Sequence, residues 1–321
     1  MLDFDSVACA LALLVALAID RVFGEPAARW HPVVWMGSFL KRMEPLVLRQ
    51  PPCPPQTRDF KSFSLAALAW MAGAAICFIA AMVLQWAIFE LHGWLAALLL
   101  GVAFKPMFAW RMLRSEVQAV EEALQTSLTA GQGRLAMLVS RDTAQLSESE
   151  VRESAIESLA ENLNDSVVAP IFWFVLLGLP GAAVYRFANT ADAMWGYRGV
   201  YKGQNWEWAG KWVARADDVL SWLPARLTAV LIWLVSGGFQ LAVLRREAAR
   251  TPSPNSGWPM AAMALALGVC LRKPGVYALN AAGRAPQAAD TSMAVRVASK
   301  VLFFILPCAF VAISLIAFVL K

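Results

Sequence analysis

Two long apolar runs dominate the pattern of hydrophobic and polar positions in this chain. Leu65–Phe89 contains Gln85 as its only strongly polar residue, and Val301–Leu320 is nearly as apolar. Both have the roughly 20 residues that a helix needs to cross a bilayer. They predict two membrane-spanning helices, and the apolar stretch at 6–19 predicts a short, uncleaved first one.

Three further apolar runs are weaker or interrupted. Lys105 and Pro106 interrupt Trp94–Trp110, a Ser-Gly-Gly break interrupts Leu227–Leu244, and Trp258–Leu271 is short for a bilayer. Together with the strong runs and the segment described next, they predict about five to seven membrane segments.

The segment Val167–Phe187 is apolar but contains helix-breaking residues, namely Pro170 and the sequence Leu179-Pro180-Gly181. Such residues are tolerated at membrane depth where protein buries the freed backbone groups. The segment is therefore predicted either to span the membrane or to form a re-entrant hairpin. In the second case the polar stretches before and after it share one compartment.

Polar stretches separate the apolar runs. They are predicted at about 20–64, 111–166, 188–224 and 272–300, with a shorter one at 245–257. The pattern as a whole predicts an all-α fold, a polytopic membrane bundle with helical polar loops, organised as one membrane-embedded domain over residues 1–321. The proline-rich segment 51–55 predicts an extended connector.

Two helices are predicted inside the second polar stretch. Apolar residues recur at helical spacing from Leu113 to Leu128, which predicts a helix that ends near Gly131–Gly133. Ser147 and Glu150 have the spacing of a capping box, which predicts that a second helix begins there and runs to about residue 163.

Composition and charge narrow the class of protein. Hydrophobic residues make up 59% of the chain and charged residues 16%, against roughly 45–50% and about 25% in soluble domains. A disordered chain, a basic nucleic-acid-binding domain and an ordinary cytosolic globule are excluded. The net charge of +5 is typical of a membrane protein with basic cytoplasmic loops. The acidic start, with Asp3 and Asp5, predicts an N-terminus on the opposite side.

Few residues suit a transition metal. The five cysteines are isolated, without a CxxC pair, and the chain has only two histidines, His31 and His92. This argues against a disulfide framework and against a zinc site. The sequence also has no P-loop and no dinucleotide-binding glycine motif.

The most distinctive polar feature is an acidic row. Glu153, Glu157, Glu161 and Asp165 are spaced four residues apart, which places them along one face of a helix. Like charges at this spacing repel one another, so the row is either a solvated face or is compensated by Arg, Lys or Mg²⁺. Its position directly before the apolar segment at Val167 favours a compensating cation.

The third polar stretch contains further groups that suit a metal–phosphate unit. It holds the acids Asp192, Asp217 and Asp218 and the base Arg215, and Arg226 follows two residues after its end. Two interpretations stay open at this point: the aspartates bind a cation, or the arginines simply pair with them.

Tryptophans and a histidine in the polar stretches also allow more than one interpretation each. Trp206, Trp208 and Trp212 either line a site for a large flat ligand or belong to the core. His31 is a general base, a substrate contact or a capped loop residue. A turn before His31 is predicted to orient the Glu25 side chain.

Several collinear blocks carry a family resemblance. They are Gly24-Glu25-Pro26 with His31-Pro32-Val33-Val34 and Met36-Gly37, Arg141-Asp142-Thr143, Glu157–Asn162 with Asp165 and Ala169–Trp173, Gly178–Ala182 with Tyr185-Arg186, Asn189-Thr190, Asp192, Gly196-Tyr197, Asp217-Asp218 and Pro224-Ala225-Arg226, then Ser253–Pro259 and Lys273–Tyr277. In these blocks the chain resembles the CobD/CbiB family, adenosylcobinamide-phosphate synthase of cobalamin biosynthesis. Ala191 and Trp195 depart from the usual pattern, but no charged motif residue is lost.

The resemblance implies an integral enzyme of the bacterial cytoplasmic (inner) membrane. It would join (R)-1-aminopropan-2-ol or its phosphate to adenosylcobyric acid, giving adenosylcobinamide or its phosphate, with ATP and Mg²⁺. The other implied partners are the lipid bilayer and membrane proteins of cobalamin assembly, and no nucleic acid is expected. Amide formation needs an activated carboxylate such as an acyl phosphate, and phosphoryl transfer depends on positioning and charge neutralisation.

Candidate roles follow for residues in the matching blocks and for Arg215, which lies beside one of them. The catalytic candidates are His31, Glu25, Arg141 and Asp142, with His31 or Glu25 positioning or deprotonating the incoming amine. The candidates for binding phosphate or carboxylate are Arg186, Asn189, Arg215 and Arg226. The metal candidates are Glu157, Glu161, Asp165, Asp192, Asp217 and Asp218.

Two other functions stay open. An intramembrane prenyltransferase also uses Mg²⁺ with Asn- and Asp-rich motifs, which Asn164-Asp165 and Asn189–Asp192 match, but Asp217-Asp218 lacks the further aspartate three or four positions on. A transporter or a scaffold is disfavoured, because transporters carry ionisable residues at the midplane of their spans. Here Lys105 is nearly the only full charge inside a predicted span.

Overall fold

The structure, a computed structural model, describes residues 4–48 and 58–319. Its elements in chain order are α1 (Phe4–Phe23), a 3₁₀ turn (Ala28–Trp30), α2 (Pro32–Val47), α3 (Phe60–Phe89), α4 (Gly93–Phe104), a 3₁₀ turn (Lys105–Met107), α5 (Trp110–Thr126), α6 (Leu128–Leu135), α7 (Glu148–Leu163), a π turn (Asn164–Val168), α8 (Ala169–Trp195), β1 (Val200–Tyr201), β2 (Gln204–Asn205), α9 (Ala209–Val235), α10 (Leu241–Ala248), α11 (Gly257–Leu267), β3 (Leu271–Lys273), β4 (Tyr277–Leu279) and α12 (Ala288–Val319). The predicted connector at 51–55 and the acidic residue Asp3 lie outside the described residues.

Six helical stretches in the described ranges are long and apolar enough to cross a membrane. They are Ser6–Phe23, Phe60–Phe89, Gly93–Thr126, Glu148–Trp195, Ala209–Val235 and Ala288–Val319. The all-α, polytopic fold class is therefore confirmed. Gly257–Leu267 is too short to span, as its sequence suggested.

The described residues fall into two compact units. The first is drawn from Met1–Phe108, Pro170–Leu220 and Ala309–Lys321, and the second from Ala109–Ala169 and Ser221–Cys308. In the first unit α1 packs along α4 and α2 along α3. In the second, α7 packs against α5, α6 and α11, and α10 packs against α11. The expectation of a single membrane-embedded domain stays a prediction.

A break inside α8 lies one residue before the predicted one. It is at Gly178, whose φ of 67° favours glycine, and a β-carbon there would approach Gln85 Oε1 to 2.4 Å. The N–H of Leu179 donates to Gln85 Oε1 at 2.7 Å. The single strongly polar side chain of the α3 run therefore satisfies a backbone group beside the break, as apolar surroundings require.

Replacing Gln85 with leucine is expected to lower the free energy of unfolding by about 1–3 kcal/mol, because the Leu179 N–H loses its acceptor. Thermal unfolding of the detergent-solubilised protein measures the effect. Gln125 is exposed on α5, so Gln125→Leu is the matched control, with an expected change within about 0.5 kcal/mol. Equal melting temperatures for the two variants would show that Gln85 does not stabilise the break.

The helices of the second polar stretch differ from the prediction at one boundary. Ser127 separates α5 from α6, because its Oγ accepts from the Ala130 N–H as an N-cap. The predicted end near Gly131–Gly133 is therefore wrong. A β-carbon at Gly131 would clash with Leu124, so the glycine lets α6 pack closely on α5. The capping box at Ser147 is confirmed.

The π turn at Asn164–Val168 follows α7 directly. Pro170 has no N–H to donate to the Ser166 carbonyl, and this carbonyl accepts from the Ala109 N–H at 3.0 Å instead. Such turns are often found at functional sites. Here the turn changes the helical repeat at the end of the acidic row.

Candidate functional site

A polar cavity of about 200 Å³ lies beside α7 in the second unit. Its α7 wall includes Ser154, Glu157 and Glu161, and the loop before α7 contributes Arg141. The β3–β4 hairpin and α11 complete the lining. The sequence blocks around residues 141, 157 and 273 thus meet at one place, although they are far apart along the chain.

Two charged groups of this cavity retain unused hydrogen-bonding atoms. Arg141 Nη2 donates to Ser154 Oγ and lies 3.3 Å from Glu157 Oε2. The other atoms of the pair, Arg141 Nη1 and Glu157 Oε1, are buried and have no hydrogen-bond partner among the described residues. Glu157 as a whole is only 6% exposed. Buried polar atoms are normally satisfied, so this pair offers one donor and one acceptor to a ligand.

The β3–β4 hairpin brings a second cation and a hydroxyl to the same cavity. Lys273 and Tyr277 are paired across the hairpin and both line the cavity. Burial and the nearby Glu157 carboxylate raise the pKa of Tyr277 above its usual value, so its hydroxyl remains protonated. Neither residue was assigned a role from the sequence. The only signal was the Lys-Pro-Gly-Val-Tyr block, with its turn-forming Pro-Gly pair.

The first two residues of the acidic row, Glu153 and Glu157, are not solvated. Residues 151–160 of α7 are all buried, and Glu153, which is 0% exposed, accepts from Arg272 Nη2 at 2.7 Å and from the Arg272 backbone N–H at 2.9 Å. Arginine therefore supplies the predicted compensating charge at Glu153. Glu161 is exposed beside Glu157, and Asp165 accepts from its neighbour in the π turn.

The cavity contains two carboxylates, which are the type of ligand that magnesium prefers. Glu157 and Glu161 supply hard oxygen ligands, and Mg²⁺ is usually held by one or two carboxylates together with substrate phosphates. Among the described residues of either unit, no group of three or more His, Cys, Asp or Glu side chains is placed to hold a metal ion. The second unit holds Glu157, Glu161 and Asp165, and the first holds Asp192, Asp217 and Asp218. A metal role for these six residues stays a prediction.

Asp142 and Arg226 have local partners in the second unit. Asp142 is exposed, and its Oδ1 accepts a backbone N–H two residues on at 2.9 Å, which shapes the turn next to Arg141. The Arg226 guanidinium lies 4.2 Å from the ring centre of Trp222 and 4.9 Å from that of Trp258. The phosphate-binding role predicted for Arg226 would have to compete with these cation–π contacts.

Glu25 belongs to a buried ionic cluster in the first unit. Lys105 Nζ lies 2.8 Å from Glu25 Oε1 and 3.1 Å from Asp20 Oδ1, and it donates to the Phe108 carbonyl at 3.0 Å. Lys105 is 3% exposed and Asp20 is 0% exposed. The sequence shows Lys105 as a charged residue inside an apolar run, but it gives no indication of its partners.

His31 completes this cluster. Its Nδ1 accepts from the Val33 N–H and caps α2, so the proton lies on Nε2, which donates to Glu25 Oε2 at 3.2 Å. His31 thus acts as the N-cap residue of α2, and its roles as a general base or a substrate contact stay predictions. Burial alone would raise the pKa of Glu25, but the hydrogen bonds from His31 and Lys105 outweigh it and hold the pKa below its usual value. Glu25 is therefore an ionised carboxylate.

The remaining candidates of the first unit lie on two helices. Arg186, Asn189 and Asp192 are on α8 after the break at Gly178. The exposed Arg215 and the partly buried pair Asp217-Asp218 are on α9. Their roles in binding phosphate or metal stay predictions.

The three tryptophans near residue 208 differ in their surroundings. Trp206 is 5% exposed and stacks on Trp195 at 6.1 Å. Trp212 packs edge-on against Trp70 at 6.2 Å. Trp206 belongs to the packed interior of the first unit, and Trp212 is partly buried there. Trp208 is half-buried, with the Lys211 ammonium 3.9 Å from its ring centre.

Comparisons with known proteins cover most of the chain. The sequence model of the family described as CobD/Cbib protein matches residues 13–301. The "Probable cobalamin biosynthesis protein CobD" of Thermococcus kodakarensis is 42% identical over 284 residues, which are 88% of this chain and 89% of that protein. The "Cobalamin biosynthesis protein CobD" of Rhodobacter capsulatus is 36% identical over 302 residues, covering 88% and 90%. No solved structure matches the chain.

Proposed function

The chain belongs to the CobD/CbiB family of cobalamin biosynthesis proteins, and from this premise we propose that it is a membrane-bound carbon–nitrogen ligase. It joins (R)-1-aminopropan-2-ol or its phosphate to a propionate of adenosylcobyric acid, with ATP and Mg²⁺. In a bacterium it would lie in the cytoplasmic membrane. The observation that supports the chemistry is the cavity in which the buried Arg141–Glu157 pair keeps an unused donor and an unused acceptor.

Ligation of this kind requires two steps. A carboxylate oxygen of the corrinoid attacks the terminal phosphorus of ATP and releases ADP. The amine nitrogen then attacks the acyl carbon, loses a proton and releases phosphate. Both steps carry developing negative charge on phosphate oxygens, so catalysis depends on cationic groups and on positioning.

The residues of the chain have distinct parts in this proposal. Arg141 and Lys273 neutralise phosphate charge, while Glu157 and Glu161 hold a cation, either the metal or the ammonium of the amine. Bound Mg²⁺ supplies further neutralisation of phosphate charge. Glu25, in the first unit, is kept ionised by His31 and Lys105, and its role in positioning or deprotonating the amine stays a proposal from the sequence motif alone.

The ligation assay tests the proposal directly. Purified full-length protein in detergent is incubated with adenosylcobyric acid, ATP, Mg²⁺ and either aminopropanol or its phosphate. The expected products are the amide, detected by its mass, and stoichiometric ADP. A parallel incubation with a prenyl diphosphate covers the prenyltransferase alternative. A prenylated product, or no amide with either amine, would overturn the ligase assignment.

Glu161→Gln is expected to reduce Mg²⁺-dependent ligation by about 10²-fold or more. The variant lacks a carboxylate that, in the proposal, holds the cation beside the reacting phosphate. Glu122 is an exposed acid of the same unit, so Glu122→Gln is the matched control and should keep full activity. Titration of Mg²⁺ for both variants separates a metal effect from a general one. A folded Glu161→Gln protein with an unchanged Mg²⁺ requirement would remove Glu161 from the metal candidates.

A further inference from the structure

We infer that an apolar cavity of the first unit, bounded by α2, α3 and α8, binds one glycerophospholipid of the surrounding membrane. One acyl chain fills the cavity, the ester carbonyl of that chain accepts from the Trp70 indole, and the phosphate lies near Arg42. The site belongs to the first unit alone and does not depend on the proposed ligation.

The apolar cavity has a volume of about 310 Å³, and among the described residues no charged side chain lines it. A small residue keeps part of the space open, because a β-carbon at Gly73 would clash with Phe39 and Phe187. On the α3 side, Ile76 and Leu84 line the cavity and are exposed. Since α3 is one of the helices long and apolar enough to cross the membrane, these wall residues face hydrocarbon, and the cavity opens to the bilayer.

The apolar cavity follows α3 for about three turns. Gly73 lies against Phe187 at one end. At the other end Gln85, next to the wall residue Leu84, accepts from the Leu179 N–H. Between Gly73 and Leu84 the helix rises roughly 16 Å, a length that suits an extended hydrocarbon chain. An empty cavity would leave its walls without dispersion contacts, and a lipid tail restores them.

Buried hydrogen-bond donors lie near one end of the apolar cavity. Trp70 is one turn before Gly73 on α3, and its ring centre is 6.1 Å from that of the wall residue Phe187. The Trp70 indole N–H is buried without a hydrogen-bond partner among the described residues, and so is that of Trp212, 6.2 Å away between ring centres. Buried donors are normally satisfied. A hydrocarbon tail supplies no acceptor, whereas the ester carbonyl at the head of an acyl chain does.

A basic side chain lies beyond the same end. Phe39 lies against Gly73, the other lining residues of α2 precede Phe39, and those of α3 follow Gly73. The two helices therefore run antiparallel along the cavity, which places Arg42 and Trp70 beyond the same end. Trp35, Phe39 and Arg42 share one face of α2, and the exposed Arg42 guanidinium suits a phosphate group.

The order of these features matches the order of groups in a glycerophospholipid. The apolar cavity comes first, the indole donor next and the guanidinium last, as tail, ester and phosphate follow one another in the lipid. Between a membrane protein and lipid tails there is no hydrophobic driving force. Retention of one lipid therefore depends on filling the cavity and on the two polar contacts at its end.

Photocrosslinking of the full-length protein in detergent micelles tests the inference. The probe is a phosphatidylcholine that carries a diazirine on one acyl chain, and mass spectrometry identifies the labelled peptides. We expect labelling to concentrate between residues 73 and 84 and to be displaced by unlabelled dioleoylphosphatidylglycerol. Labelling spread evenly over the exposed faces of α3 and α12, or not displaced, would mean ordinary surrounding lipid and would overturn the inference.

Filling the cavity gives a matched pair of variants. Ala80 lines the cavity from an exposed position of α3, so Ala80→Phe places a ring in the cavity without disturbing the core. Labelling should fall about fivefold or more, because the ring takes the dispersion contacts of the chain. Ala72 is exposed on the same helix outside the lining, so Ala72→Phe should label as the unmodified protein does. Equal labelling of the two variants would refute the site.

Two further substitutions test the polar end of the lipid, with affinities measured by native mass spectrometry. Trp70→Phe keeps a ring and loses the N–H, so a diester phospholipid should bind about three- to tenfold more weakly, while the diether analogue, which has no carbonyl, should be unaffected. Arg42→Met should weaken dioleoylphosphatidylglycerol about tenfold and leave dioleoylglycerol, which has no phosphate, unchanged. The controls are Trp86→Phe and Arg296→Met, both at exposed positions. If the unmodified protein bound diester lipid, diether lipid and oleate equally, the cavity would be a general hydrocarbon site and the phospholipid assignment would be wrong.

Discussion

Replacing Lys105 with methionine is expected to lower the free energy of unfolding by about 3–5 kcal/mol, the usual result of removing one partner of a buried ion pair. The Lys105 ammonium lies 2.8 Å from Glu25 and 3.1 Å from Asp20, and both the lysine and Asp20 are almost completely shielded from solvent. The variant keeps the desolvated carboxylates and loses the positive charge that offsets them. Denaturant unfolding in detergent, followed by circular dichroism, measures the difference.

Two comparisons make the Lys105 result specific. Lys41 is exposed on α2, so Lys41→Met makes the same chemical change without removing a buried charge and should alter stability by less than about 0.5 kcal/mol. Adding Asp20→Asn to Lys105→Met should restore part of the loss, because one buried negative charge is removed. Equal stability of the Lys105 and Lys41 variants would refute the ionic role of the cluster.

Replacing Arg272 with methionine is expected to lower stability by about 3 kcal/mol and to abolish most of the proposed ligation. The Arg272 side chain is 50% exposed, but its partner Glu153 is 0% exposed. The loss of stability therefore comes from Glu153. Its buried carboxylate would lose the guanidinium and retain, of its bonds to residue 272, only the one from the backbone N–H. Arg272 also anchors the hairpin that carries Lys273 and Tyr277 into the cavity, which is why activity should fall.

Arg272 is half exposed and Glu153 is fully buried, so replacing Glu153 in place of Arg272 gives a second measurement of stability. Glu153→Gln removes the buried charge and keeps a hydrogen-bond acceptor, so it should lower stability by only about 1 kcal/mol, less than Arg272→Met. Arg296→Met, an exposed position on α12, is the control for loss of an arginine. If Glu153→Gln proved as destabilising as Arg272→Met, the desolvated carboxylate would not be the cause.

Long-range partners could not be read from the sequence. Gln85 and Leu179 are 94 positions apart, Lys105 and Glu25 are 80 apart, and Arg272 and Glu153 are 119 apart. Gln85 and Lys105 stand out in the sequence as polar residues inside apolar runs, but the sequence does not indicate their partners. Hydrophobic periodicity reports which face of an element is buried and carries no information on which distant polar group meets it.

Local boundaries were predictable where one side chain fixes the backbone. Ser147 and Glu150 were sufficient to predict the start of α7, because a capping box is complete within four residues. The end of α5 differs from the predicted one, because the glycines of α6 lie inside a helix and do not terminate it. Gly131 instead allows close contact with Leu124, a reason for glycine that only packing reveals.

By itself the sequence determined an all-α membrane protein and its family, because apolar runs of bilayer length and collinear motifs are properties of the chain alone. Only the tertiary structure decided which charges are paired. It placed Arg141, Glu157, Lys273 and Tyr277 around one cavity and placed Glu153 out of it, against Arg272. The physical reason is that a buried charge is stable only beside an opposite charge or a hydrogen-bond partner, and that partner can come from any part of the chain.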